Sequence, residues 1–136
     1  MQTTTEVHGL TPGHVTTEAL DALYNTGHWL HARERWRDAA AVFRMLVLCA
    51  PEDERGYLAL GSCHEGLGQE AIALEIYAAA TMTADAPRCH VARARLLRKN
   101  GFPDDAEEAL DEAASIADAL NDDHLRALVA NERGAS

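Results

Sequence analysis

The strongest constraint on this chain is a repeat: between Leu20 and Leu120 one helix-turn-helix pattern occurs three times, the first two copies in register at a spacing of 34 residues. Gly27 pairs with Gly61, Ala39 with Ala73, Phe43 with Tyr77, and Leu46 with Ala80. The third copy is one residue shorter, aligning Gly68 with Gly101, Ala73 with Ala106, Tyr77 with Leu110, and Ala80 with Ala113. Gly27, Gly61 and Ala94 are small where the two helices of a copy cross at close range, and Ala39, Ala73 and Ala106 do the same from the second helix. The aromatic or leucine four residues later fills the gap beside each crossing. A unit this short cannot bury its apolar face alone, so the copies have to stack on one another.

The spacing, A-x-x-x-F at Ala39–Phe43, A-x-x-x-Y at Ala73–Tyr77 and a closing Pro51 make up the tetratricopeptide pattern. Pro87 and Pro103 suit first turns, Gly68 and Gly101 fall where a helix must stop with positive φ, and Asp104, Asp105, Glu107 and Glu108 load acid onto a helix start. The predicted fold is all-α, a curved α-solenoid of three tetratricopeptide-like helix-turn-helix repeats plus a C-terminal capping helix. Helices are expected at about 17–33, 36–49, 53–66, 69–83, 87–99 and 103–119, with a cap at about 122–133 carrying Leu125, Leu128 and Val129 on one face. The repeat domain is read as 16–133, with repeats at about 20–53, 54–86 and 87–120, after a flexible N-terminal arm over 1–15.

With 136 residues the chain has room for one domain, which buries roughly 68–70% of its unfolded surface. Twelve Lys and Arg against 22 Asp and Glu give a net charge of −10. That field repels phosphate backbones and anionic lipid, so no nucleic acid and no direct membrane insertion are expected. No apolar run approaches a membrane span, and the N-terminus lacks both the basic flank and the apolar stretch of a signal, which places the expected location in the cytoplasm. Cys49, Cys63 and Cys89 form an odd set without a C-x-x-C pair and read as free thiols packed in helices.

Stacked helix pairs curve, and their first helices line the hollow, a surface suited to a peptide. The fifth, ninth and twelfth positions of each repeat share that face: Tyr24, His28 and His31; Leu58, Ser62 and Glu65; Val91, Arg95 and Arg98. All nine are the candidate peptide-binding residues. Tyr24, Leu58 and Val91 form the expected apolar rim. The third first helix holds Arg88, Arg93, Arg95, Arg98 and Lys99 without an acid, a basic wall that either selects client carboxylates or pairs with the acids of Asp104 to Glu112. His28 and His31 are spaced like two metal ligands, but no third ligand is fixed by spacing, so no metal and no cofactor are assigned. Hydrogen bonding to client backbone, changing as the imidazoles charge near pH 6.5, is the preferred use. Nucleophile elbows, phosphate loops and dinucleotide loops are absent, and the chain is not read as an enzyme. Trp29 and Trp36 are expected in the core.

Several phrases in order carry a resemblance to a known family: Leu23-Tyr24, Trp36 to Ala39 (W-R-D-A), Leu60 to Cys63 (L-G-S-C) followed by Leu67 to Gln69 (L-G-Q), and Ala86 to Arg88 (A-P-R). From Leu23 to Leu110 the chain resembles the class II type III secretion chaperones, the SycD/LcrH kind. The resemblance implies a bacterial cytoplasmic chaperone that keeps the hydrophobic translocator proteins of a type III secretion system soluble, gripping an extended N-terminal segment of each. Members usually carry a longer N-terminal region used in dimer formation, whereas about 19 residues precede the first repeat here, so a homodimer stays open. They also tend to show aromatics along the first helix, where this chain has Tyr24, His28 and His31. The alternative is a general tetratricopeptide adaptor or oligomerising scaffold.

Overall fold

A computed structural model describes residues 15–135, in which the chain forms seven helices and no strand. They are α1 (Thr17–Ala32), α2 (Trp36–Cys49), α3 (Glu54–Gly66), α4 (Glu70–Thr83), α5 (Pro87–Lys99), α6 (Pro103–Leu120) and α7 (Asp123–Gly134). The expected arm over 1–15 lies, apart from Val15, outside the described residues. Five of the helix starts have a local cause. The hydroxyl of Thr16 accepts from the Ala19 N–H at 3.1 Å, Asp53 accepts from the Arg55 N–H at 3.0 Å, and Asp122 accepts from the Leu125 N–H at 3.0 Å. Pro87 and Pro103 occupy first turns, where a missing N–H costs nothing.

The three first helices of the repeats end alike. Glu34 (φ 58°), Gly68 (φ 76°) and Gly101 (φ 88°) take the left-handed conformation. In each the next residue closes the helix by donating its N–H five residues back: Arg35 to Leu30 at 3.0 Å, Gln69 to His64 at 2.8 Å, Phe102 to Leu97 at 2.8 Å. These turns reverse the chain and lay the second helix against the first.

Crossing contacts explain the small residues of the repeat. A Cβ on Gly27 would stand 2.5 Å from Cε1 of the buried Phe43, and one on Gly61 would enter the ring of Tyr77. The aromatic of the second helix therefore lies flat on a bare stretch of the first. In the third copy the filler is the smaller Leu110, and the first helix carries Ala94 instead of glycine, both fully buried. Volume is conserved across the pair.

Helices stack in chain order, and along the first-helix row α3 packs on α5 and α5 on α7, whereas no second helix packs extensively on another. Because neighbours on the inside of a curve approach while those on the outside splay, the first helices line the hollow. Core clusters run without a break from Phe43, Leu46 and Cys63, through Tyr57, Tyr77 and Leu96, to Leu97, Leu110 and Val129. The expected cap is present, with Leu125 fully buried and Val129 3% exposed. It is also more regular than expected: Leu125, Val129 and Glu132 follow Val91, Arg95 and Arg98 by 34 residues each, so α7 occupies the slot of a fourth first helix.

Candidate peptide-binding groove

The hollow-facing side chains begin with an aromatic cluster on α1. The ring of Tyr24 lies 4.4 Å from that of His28 and 6.1 Å from Phe43, and His28 lies 5.5 Å from Phe43. Tyr24 is half-buried and His28 exposed. Burial raises the Tyr24 phenol above its ordinary value, against the pull of Arg55, whose guanidinium carbon sits 5.1 Å above the ring. Although His28 is exposed overall, the rings of Tyr24 and Phe43 beside it keep part of its imidazole from water and lower it, assisted by His31, which favours the neutral ring. Asp53 holds Arg55 in place through a paired set of bonds at 2.7 and 3.1 Å. Neither Arg55 nor Phe43 is among the sequence-derived groove residues. Arg55 follows the helix cap at the start of α3, and that position is the signal that would have found it.

From the twelfth position onward, polar ties join successive repeats. Nε2 of His31 lies 2.8 Å from Oγ of Ser62, and the His31 ring stands edge-on to Trp36 at 4.8 Å. Glu65 accepts from the buried Tyr77 hydroxyl at 2.5 Å and from Nη2 of Arg95 at 2.8 Å. Burial, followed by that bond to Glu65, pushes the Tyr77 phenol upward, while the same carboxylate raises Arg95. Nη1 of Arg98 donates to the Glu132 carbonyl at 2.6 Å and to its carboxylate at 2.8 Å. Glu65 is thus engaged with Tyr77 and Arg95 rather than with the histidines, and no group of three His, Cys, Asp or Glu able to hold a metal gathers among the described residues.

The structure corrects three expectations. Val91 is not on an apolar rim: it is 6% exposed, packed in the cluster of Ala94, Leu97, Leu110 and Val129, because the in-register α7 closes over a short side chain. Tyr24 and Leu58, both half-buried, remain as the rim. Trp29 is not core. It is 52% exposed, its ring covered by the Arg33 guanidinium at 3.8 Å, since no helix precedes α1 on that side among the described residues. Trp36, also expected in the core, is half-buried and packs against the end of α3, lying where a Cβ on Gly66 would come within 2.5 Å of its ring. The basic wall is largely neutralised, but not by Asp104 to Glu112. Arg88 pairs with Glu54 and Asp122, Arg95 with Glu65, Arg98 with Glu132, and Lys99 with Glu70. Glu54 also accepts from the N–H groups of Arg88 and Cys89 at 2.9 and 3.0 Å, closing the start of α5. All three cysteines are free and buried; burial pushes the Cys63 thiol up to about 11 and raises Cys89 as well, which disfavours the thiolate at those two.

No protein-family model matches the chain. It is 29% identical over 97 residues to the low calcium response locus protein H of Yersinia pestis, an alignment covering 71% of this chain and 58% of that protein. In fold it matches the type III secretion translocator chaperone SycD of Yersinia enterocolitica, with a TM-score of 0.74 at 22% identity over 89% of this chain and 92% of that one. It also matches PcrH, a Pseudomonas aeruginosa protein, in complex with the chaperone binding region of PopD, with a TM-score of 0.72 at 28% identity over 89% and 90% of the two chains.

Proposed function

We propose that this relative of the translocator chaperones is itself one: it holds an extended segment of a hydrophobic type III secretion translocator in the hollow of its repeats, in the bacterial cytoplasm, and keeps that client soluble until export. The observation that carries the reading is the continuous first-helix face, with an apolar end at Tyr24, His28 and Leu58 and a polar floor at His31, Ser62, Glu65, Arg95 and Arg98, on a fold shared with PcrH in complex with the chaperone binding region of PopD. The solved relatives named above carry chaperone function, and the proposed role needs no catalytic step. No helix among the described residues is long and apolar enough to cross a membrane.

An extended client presents alternate side chains to such a face, and each apolar one buried there contributes about 1.5–3 kcal/mol before ordering costs. Purification from the native genetic context followed by mass spectrometry should recover a protein with a membrane-spanning segment that is soluble only with this partner. Tyr24→Ala with Leu58→Ala should lose that client while keeping helical content near native. Retention of the client by the double variant would remove the groove from the account, and loss of helicity would place both residues in the core instead.

A further inference from the structure

We propose a second docking site on the outer face: the groove between α2 and α4 takes a short acidic protein segment with an apolar side chain between its carboxylates. It is lined by Arg37, Ala40 and Arg44 of α2, His64 and Gln69 at the α3–α4 turn, and Ile72 of α4. It lies on the side where second helices splay apart, away from Tyr24 and Leu58.

The charge is unusual for this molecule. At a net −10, most cations are already committed: Arg35, Arg55, Arg88, Arg95, Arg98, Lys99, Arg126 and Arg133 all form ion pairs. Arg33, Arg37, Arg44 and Arg93 form none with a described residue; Arg33 lies over the Trp29 ring and Arg93 stands beside Glu108 and Glu112, whereas Arg37 and Arg44 are both exposed on one face of α2 and line one groove. Seven residues apart, they stand about 10 Å from each other along the helix axis. A segment in the polyproline II conformation turns once every three residues and rises about 3.1 Å per residue, so carboxylates at i and i+3 share one face about 9 Å apart and reach both guanidiniums. Between them the buried Ala40 forms a floor and Ile72, 40% exposed, a wall against which an intervening apolar side chain loses water. Nδ1 of His64 is held 2.7 Å from Oε1 of Gln69, which orders two of the side chains lining the groove. The whole-molecule field disfavours a long polyanion, and a second copy of this chain brings the same −10 with it. A short segment whose acids are local meets the two arginines without that penalty.

The test uses the full chain and a labelled peptide, acetyl-Glu-Leu-Ala-Glu-Leu-Ala-Glu-amide, with a control in which Gln replaces every Glu, read by fluorescence anisotropy at about 50 and about 300 mM salt. The acidic peptide should bind at least about tenfold tighter than the Gln control at low salt, and lose that advantage at high salt. Arg37→Glu with Arg44→Glu should abolish the difference, while Tyr24→Ala with Leu58→Ala keeps it. Both arginines are exposed, and circular dichroism verifies that the reversal variant is folded. Equal binding of the two peptides, binding unchanged in the reversal variant, or binding lost in the groove variant would overturn the proposal. So would sedimentation in which native protein is dimeric and the reversal variant monomeric, which would give the face to a second copy.

Discussion

Glu34 occupies the left-handed turn position that glycine fills at 68 and 101, and its exposed side chain makes no hydrogen bond among the described residues. A residue with a Cβ loses about 1–2 kcal/mol in that conformation, partly offset by the greater freedom that glycine has when unfolded. Glu34→Gly should therefore stabilise the protein by about 0.5–1 kcal/mol and raise Tm by a few degrees in thermal denaturation; an unchanged or lower Tm would mean that the turn is not strained. Gly68→Ala should move Tm the other way. At this scale sequence reading succeeds where one residue type answers one backbone demand, as at Gly68 and Gly101. It fails for Arg95 and Arg98, whose acidic partners do not lie on the helix that follows in the chain. A first helix lies beside the next first helix, so Glu65 and Glu132, some 30 and 34 residues away, are the true neighbours.

Helix pairs depend on the match between a bare stretch and its filler. Gly27→Ala forces its methyl into the Phe43 ring and should cost about 1–3 kcal/mol, and Phe43→Leu alone should cost about 1–2 kcal/mol through the space it leaves. Together they recreate the Ala94–Leu110 pairing of the third copy, so the double variant should lose less than the sum of the singles in urea denaturation; strict additivity would refute the complementarity. Element positions were readable from the 34-residue period because crossing residues recur with it. The exposure of Trp29 was not, since periodicity marks a face as apolar without saying whether anything covers it. The burial of Val91 escaped for a related reason: it depends on α7, which is too short and too polar to register as a repeat but keeps the same register.

For the molecule as a whole, α7 seals the last core cluster. Ending the chain at Asn121 would uncover Val91, Leu97 and Leu110 and leave Arg98 without Glu132. The truncated protein should lose cooperative unfolding and aggregate on concentration, as judged by calorimetry and light scattering, since an array needs a closed end. A truncated chain with native Tm would reduce α7 to an ornament. The overall arc was legible, but its inner lining was only half so, because which groups meet across repeats is decided by stacking rather than by order along the chain. That lining has one more consequence. His31 with Ser62, Glu65 with Arg95 and Arg98 with Glu132 act as struts between successive units, each within reach of water. Glu65 already compensates Arg95, so an incoming carboxylate competes for a charge in use and not for a lone solvated cation.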